Sequence, residues 1–190
     1  MVRDAVRDQG EVSEGDRVLV IGASGGVGSF TVQIAKALGA EVTGVASTRN
    51  LEMVRQLGAD HIIDYTTEGI GDGGRRFDVI IDIAGNRPLS ELRRALEPNG
   101  TLVIVGGSGG PATMGFGRTI RASLLSPFVG QRLRALISKP NATDLETLVG
   151  FAENRALTPQ VDATYPLADA AAAIDLVGAG RSRGKTVVTV

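Results

Sequence analysis

The chain reads as a doubly wound α/β protein: a mainly parallel sheet clad by helices on both faces, in three αβα layers. Two observations carry that expectation. From residue 17 onward, apolar runs of strand length alternate with stretches of helical periodicity, the rhythm of successive βα units. The runs are also continuous rather than alternating, as in "RVLVI" (17–21), so each strand is expected to be buried on both faces, the condition of a parallel sheet between two helical layers.

"RVLVI" is the first strand. Val27, Phe30, Ile34 and Leu38 then share one helical face, and Gly39 stops that helix. "EVTGVA" (41–46) is the second strand, Asn50 is placed to cap a helix bearing Leu51, Val54 and Leu57, and "HIID" (61–64) is a short third strand. "EGIGDGGRR" (68–76) reads as a polar surface connector. A fourth strand is expected over 77–84, followed by a helix with Pro88 near its start and Leu89, Leu92 and Leu96 on one face. "EPNG" ends that helix, the fifth strand runs over 101–107, and "SGGPATMGFG" is a long loop able to close over a ligand. A sixth strand falls between Ile120 and Ile137. Thr143 and Glu146 form a capping box for the next helix, and a strand, a helix and a last strand complete the chain.

The 190 residues suit one domain with an appendage. Twenty basic and 21 acidic side chains nearly cancel, which leaves no electrostatic footprint for nucleic acid or a membrane surface, so partners are sought in pockets. Cysteine is absent and His61 is the single histidine, which excludes a disulfide framework and leaves no donor set for a protein-built zinc or Cys/His site. No apolar run reaches the ~18 residues of a membrane span. The start "MVRDAVRDQGEV" lacks the apolar core of a signal peptide, and the expectation is a soluble, cytoplasmic protein.

The stretch "VIGASGGVGSF" (20–30) sets Gly22, Gly25, Gly26 and Gly28 between the first strand and the first helix. Glycines there permit a tight turn and a close approach, and unpaired backbone N–H groups at the helix start face an anion with the helix dipole behind them. The expected contacts to a dinucleotide pyrophosphate are the N–H groups of Gly26 and Val27, with Gly25 in the turn and the Ser24 hydroxyl as a further donor.

The end of the second strand is where a carboxylate would hold an adenosine ribose 2'-hydroxyl. Ala46, Ser47, Thr48 and Arg49 stand there instead. Glu41 lies at the opposite end, ~16 Å away at strand rise. A 2'-phosphate can accept hydrogen bonds from Ser47 and Thr48 and a charge-assisted pair from Arg49, so NADP(H) is expected in preference to NAD(H).

Three families fit the loop. Gly22, Gly26 and Gly28 match the GxxxGxG of short-chain dehydrogenases, and Gly22, Gly25 and Gly28 the GxxGxxG of their atypical relatives; spacing alone does not choose. Those enzymes use a tyrosine with a lysine four residues on, whereas Tyr65 and Tyr165 are followed at that distance by Gly69 and Asp169. Over nearly the whole chain, "VLVIGASGGVGSFTVQIAKALGAEVTGVAST", "LGADHIIDYTTE", "FDVIIDIAG", "LEPNGTLVIVGG" and "YPLADAAAAIDLVGAGRSRGKTVVTV" resemble the medium-chain dehydrogenase/reductase superfamily, and within it the zinc-free, zeta-crystallin-like quinone oxidoreductases.

That resemblance implies a Rossmann domain and hydride transfer from NADPH to quinones or α,β-unsaturated carbonyls. It implies that the loop from Ala23 to Gly28 holds the pyrophosphate, that Ser47 to Arg49 hold the 2'-phosphate and that Tyr65 lies beside the adenosine. Ala84, Gly85, Val105, Gly106 and Gly107 would line the nicotinamide side. Some relatives carry a lysine where Asn50 stands, which leaves Arg49 to supply the charge. Members also carry a GroES-like domain ahead of this one, and the sequence starts at what corresponds to the last helix before the first strand. The expected division is an NAD(P)-binding domain over 1–160 and a segment, 161–190, that in the family packs on that other domain. The expected function is the NADPH-binding portion of an oxidoreductase, with a small-molecule quinone or enone as partner once a catalytic domain completes the site, and with room for a homodimer through the sheet edge. The alternative is a free-standing NADPH-binding or sensing module without catalysis of its own.

Other residues invite roles they are not expected to fill. His61 stands beside Asp60 and Asp64 but has no second histidine or cysteine, and reads as a partly exposed structural residue. Asp78 and Asp82 are expected in capping or turn contacts, and Arg181, Arg183 and Lys185 in a solvated loop.

Overall fold

A computed structural model describes residues 2, 4–105, 122, 129–136, 142–180 and 182–190. A π-helical turn (Asp4–Gln9) leads to β1 (Arg17–Ile21), α1 (Gly28–Ala37), β2 (Glu41–Ala46), α2 (Leu51–Gln56), β3 (His61–Asp64), β4 (Phe77–Asp82), α3 (Leu89–Ala95), β5 (Leu96–Ile104) and β6 (Arg132–Ala135). Then come α4 (Ala142–Glu153), β7 (Val161–Pro166), α5 (Ala170–Gly178) and β8 (Lys185–Thr189). The first six strands form one parallel sheet in the order β3-β2-β1-β4-β5-β6, and β7 pairs with β8 in a separate sheet. Strand order reverses between β1 and β4, which makes the sheet doubly wound and opens a crevice at their carboxyl ends.

Alternation along each strand sorts the core into two layers. Val18, Val20, Val42, Val79, Ile81 and Val103 face Val32, Ile34 and Ala35 of α1 and Val54 of α2. Leu19, Ile21, Val45, Ile80, Leu102 and Ile104 face the opposite way, toward Leu92 and Ala95 of α3. Each such side chain contributes about 1.5–3 kcal/mol on burial. An exposed ion pair contributes about 0–1 kcal/mol, so layer packing dominates. Among the described residues no helix is long and apolar enough to cross a membrane.

Three local expectations change. Ile70 is fully buried in the second layer, so the glycine-rich connector is pinned to the core by one apolar residue. "EPNG" does not end the helix; it is carried inside β5, which begins at Leu96 and shifts register against β4 between Phe77 and Val79. Asn50 occupies the N-cap position of α2 without a side-chain cap bond. The sixth strand settles at Arg132–Ala135. The loop "SGGPATMGFG" and the Thr143 side chain lie outside the described residues.

The amino ends of the central strands are tied by charge. Arg17 donates to Asp78 through its backbone N–H (2.9 Å), Nε (3.0 Å) and Nη2 (3.1 Å), and through Nη2 to Glu97 (2.8 Å). Hydrogen bonding to Arg17 holds the Asp78 carboxyl below its ordinary range against the opposing effect of burial. A carboxyl depressed on folding stabilises the protein above its unfolded pKa and loses that contribution as pH falls through the lower folded value. Asp78→Asn should therefore cost about 1 kcal/mol near neutrality, discounted for partial exposure, and progressively less below about pH 4. Denaturant midpoints across that range read it, and a pH-independent penalty would contradict the assignment. A second prediction concerns the β1–α1 junction, where a Cβ at Gly28 would lie 2.0 Å from the Gly22 carbonyl oxygen. Gly28→Ala should cost about 1–3 kcal/mol or more and lower Tm; an unchanged Tm would show that the junction has room.

Candidate functional site

The crevice at the carboxyl ends of β1 to β4 is a groove of about 560 Å3. Ser24, Gly25, Ser47, Arg49, Tyr65 and Ala84, drawn from the ends of four strands, β1 to β4, share its walls. Cavities of about 630 Å3 against α3 and about 510 Å3 at the amino ends of the strands lie away from the glycine loop. Both of those also carry arginines, Arg93 and Arg94 in the first and Arg75 and Arg76 in the second, so it is the glycine loop rather than positive charge that singles out the groove.

The loop is built for close approach. Gly22 has φ of 87°, a conformation that suits glycine, and its carbonyl accepts from Gly25 N–H (3.2 Å). Ala23 N–H is tied to Val45 O (3.1 Å), anchoring the loop to β2. Among the described residues no acceptor meets the N–H groups of Gly26 and Val27, at the start of the ten-residue α1. These are orphan donors at a helix N-terminus, where the dipole favours negative charge.

The C-terminal segment comes back to this loop. Gly184 N–H donates to Ser24 O (2.9 Å), and a Cβ on Gly26 would lie 2.9 Å from Gly184 O and 3.1 Å from the Lys185 ammonium. Lys185 stands 5.7 Å from the centre of the Phe30 ring and has no carboxylate partner among the described residues. Arg183, by contrast, is engaged by Asp162 through its backbone N–H (3.0 Å) and Nε (3.2 Å). The basic cluster thus divides, and Lys185, which nothing in the local sequence distinguishes from Arg181 and Arg183, is the member at the loop. Arg181 lies outside the described residues.

At the end of β2 the expected trio also divides. Arg49 is exposed on the groove and has no ion-pair partner among the described residues. Ser47 is half-buried, and Asn50 Nδ2 reaches its hydroxyl (3.4 Å) and that of Ser24 (3.1 Å). The Thr48 hydroxyl instead donates to Asp64, which the parallel register sets beside Ala46. Asp64 also accepts from the Thr66 hydroxyl (2.7 Å) and backbone N–H (2.9 Å). Bonds from Thr48 and then Thr66 hold its carboxyl below the ordinary range. A carboxylate does stand at this end of the sheet, then, brought from β3 and turned toward two threonines.

Tyr65 is exposed at the groove mouth. Ala84 is exposed on the wall, and Gly85 is buried behind it with its N–H on Asp82 Oδ1 (3.0 Å), so Asp82 makes a turn contact. Val105 is half-buried beyond β5 and donates to Asp82 O (2.9 Å). Gly106 and Gly107 lie outside the described residues. His61 is exposed and pairs with Glu41 (2.7 Å) at the far end of the sheet. The described residues include no group of three metal-ligating side chains and offer no zinc site.

Comparison with known proteins places this geometry. Residues 57–188 match the family model described as zinc-binding dehydrogenase. The chain is 32% identical over 175 residues, 90% of its length, to a chloroplast envelope quinone oxidoreductase homolog of Arabidopsis thaliana, covering 51% of that protein. It is 30% identical over 182 residues, 94% of its length, to an NADPH-dependent alkenal/one oxidoreductase of the same plant, covering 42% of it. Over its whole length it superposes on the quinone oxidoreductase of Coxiella burnetii with a TM-score of 0.86 and 27% identity, covering 57% of that chain. The chain therefore spans about half the length of the curated relatives it matches. With its strand order, glycine loop and these matches, it belongs to the zinc-binding dehydrogenase family of the medium-chain dehydrogenase/reductase superfamily.

Proposed function

We propose that the groove binds NADP(H) and that the chain is the cofactor-binding portion of an oxidoreductase acting on quinones or α,β-unsaturated carbonyls. The observation that carries this reading is a pair of cations, Lys185 at the glycine loop and Arg49 at the end of β2, without carboxylate partners among the described residues. Their places match the two anionic groups of the cofactor, its pyrophosphate and its 2'-phosphate. The similarity to an NADPH-dependent alkenal/one oxidoreductase supports the same choice.

The residues fit the group. Gly26 and Val27 would offer backbone N–H donors to the pyrophosphate, with the Ser24 hydroxyl and Lys185 beside them. Ser47 and Arg49 would take the 2'-phosphate, while Thr48, committed to Asp64, shapes the turn. Tyr65 offers a ring face to the adenosine. Ala84 and Gly85, with Val105, Gly106 and Gly107, would leave room on the nicotinamide side. When bound, the nicotinamide supplies hydride, and the protein contributes binding and orientation.

Residues 161–190 would pack against a further domain. Leu167 (59% exposed), Ile174 (70%) and Val177 (54%) give this segment an apolar face, which favours a partnered portion of an enzyme over a free-standing module. A homodimer would form through β6, one of the two edge strands, with β3, of the described six-stranded sheet.

Arg49→Ala should weaken NADPH about tenfold and leave NADH nearly unchanged, because only the 2'-phosphate is lost to it. Lys185→Ala should weaken both cofactors alike, by several-fold, since both carry the pyrophosphate. Titration of cofactor fluorescence reads both variants. Equal losses for Arg49→Ala, or a selective loss for Lys185→Ala, would reverse the assignments, and no saturable binding to the unmodified chain would remove the cofactor reading itself.

A further inference from the structure

Asn50 is a costly residue to place where it stands. It is 5% exposed, sits at the N-cap position of α2 without capping it, and buries its Oδ1 with no hydrogen-bond partner among the described residues. What its side chain does is reach across the base of the groove. Nδ2 donates to the Ser24 hydroxyl oxygen (3.1 Å) and, over a longer 3.4 Å, to that of Ser47, while its backbone N–H donates to Ser47 O (2.8 Å). One amide thus spans the glycine loop and the turn after β2.

The direction of those bonds matters. A hydroxyl has one proton to give and lone pairs to receive. Where an amide N–H fills the accepting side, each serine keeps its proton for another acceptor, and both Ser24 and Ser47 stand on the groove wall. Resting on the dinucleotide reading above, we propose that Asn50 is a positioning residue that sets the hydrogen-bond polarity of the groove: its amide makes Ser24 a donor toward the pyrophosphate and Ser47 a donor toward the 2'-phosphate. Phosphate oxygens at neutral pH chiefly accept, so a groove whose hydroxyls were turned inward would meet them lone pair to lone pair.

The test uses the full chain, with NADP+ and NAD+ as probes in isothermal titration and Tm measured in parallel. Asn50→Asp keeps the shape but presents two acceptors, drawing both serine protons inward. It should weaken NAD+, which senses Ser24, and weaken NADP+ by about tenfold more, because Ser47 is lost to it as well. Asn50→Ala, which removes the orphaned oxygen together with the amide, should hold Tm nearly constant yet shift the NADP+/NAD+ ratio the same way by a smaller factor. Should Asn50→Asp fail to fold, the Asn50→Ala and Ser47→Ala cycle decides: Ser47→Ala must cost less NADP+ affinity in the Asn50→Ala background than alone. Equal losses of both probes that follow a fall in Tm, or a Ser47→Ala effect independent of position 50, overturn the proposal while leaving the cofactor reading intact. Binding of neither probe to the unmodified chain overturns both.

Discussion

The helix α1 begins so close to the end of β1 that no side chain fits between them: a Cβ at Gly28 would stand 2.0 Å from the Gly22 carbonyl oxygen. That close approach organises the rest of the site. It turns the chain within six residues from a strand buried on both faces into a helix whose first N–H groups open toward the crevice between β1 and β4. A Cβ on Gly22 would likewise stand 3.3 Å from the Ala84 N at the end of β4, so the same turn runs close to both sides of the strand-order reversal. A larger residue at Gly28 would push α1 outward and move its dipole and orphan donors with it.

The C-terminal segment then locks this arrangement from the opposite end of the chain. Buried Gln33 on α1 donates to Thr158 O (3.1 Å) and accepts from Thr158 N–H (2.6 Å), Lys185 N–H donates to Gln160 O (2.7 Å), and Gly184 N–H closes on Ser24 O (2.9 Å). These bonds hold the strand β8 so that its first residue, Lys185, overlies the glycine loop. They couple the rigidity of the loop to the segment carrying the exposed apolar face. A partner packed on that face would bear on the glycine loop through a few hydrogen bonds.

Much of the fold was legible because parallel strands buried on both faces leave uninterrupted apolar runs. "RVLVI" and "EVTGVA" have the bounds the sequence suggests, and Gly39 stops α1 as expected. What escaped depends on contacts between segments remote in sequence. Asn50 has the side chain and position of a helix cap, and only the proximity of Ser24 shows why it does something else. Asp64 is invisible as a neighbour of Thr48 until the β2–β3 register is known. Lys185 looked like one of three basic residues in a loop until the chain return brought it to Gly26. Ile70 gave a faint signal, a lone large apolar residue in a polar stretch, which local composition outweighed.

A chain of net charge −1 presents a groove suited to an anion, and the means is the disposal of carboxylates rather than an excess of cations. Asp64 is turned to Thr48 and Thr66, Asp82 to the Gly85 N–H, and Asp162 to Arg183. Glu91, on the groove wall, is paired with Arg87. The hydroxyls at Asp64 and the N–H at Asp82 satisfy carboxylate oxygens without cancelling their charge, and an opposite charge, as Arg183 gives Asp162 and Arg87 gives Glu91, is what balances one. Arg49 and Lys185 lack that kind of partner among the described residues. The potential at the groove is therefore governed by which charges are left over, a property of the folded geometry that composition cannot express.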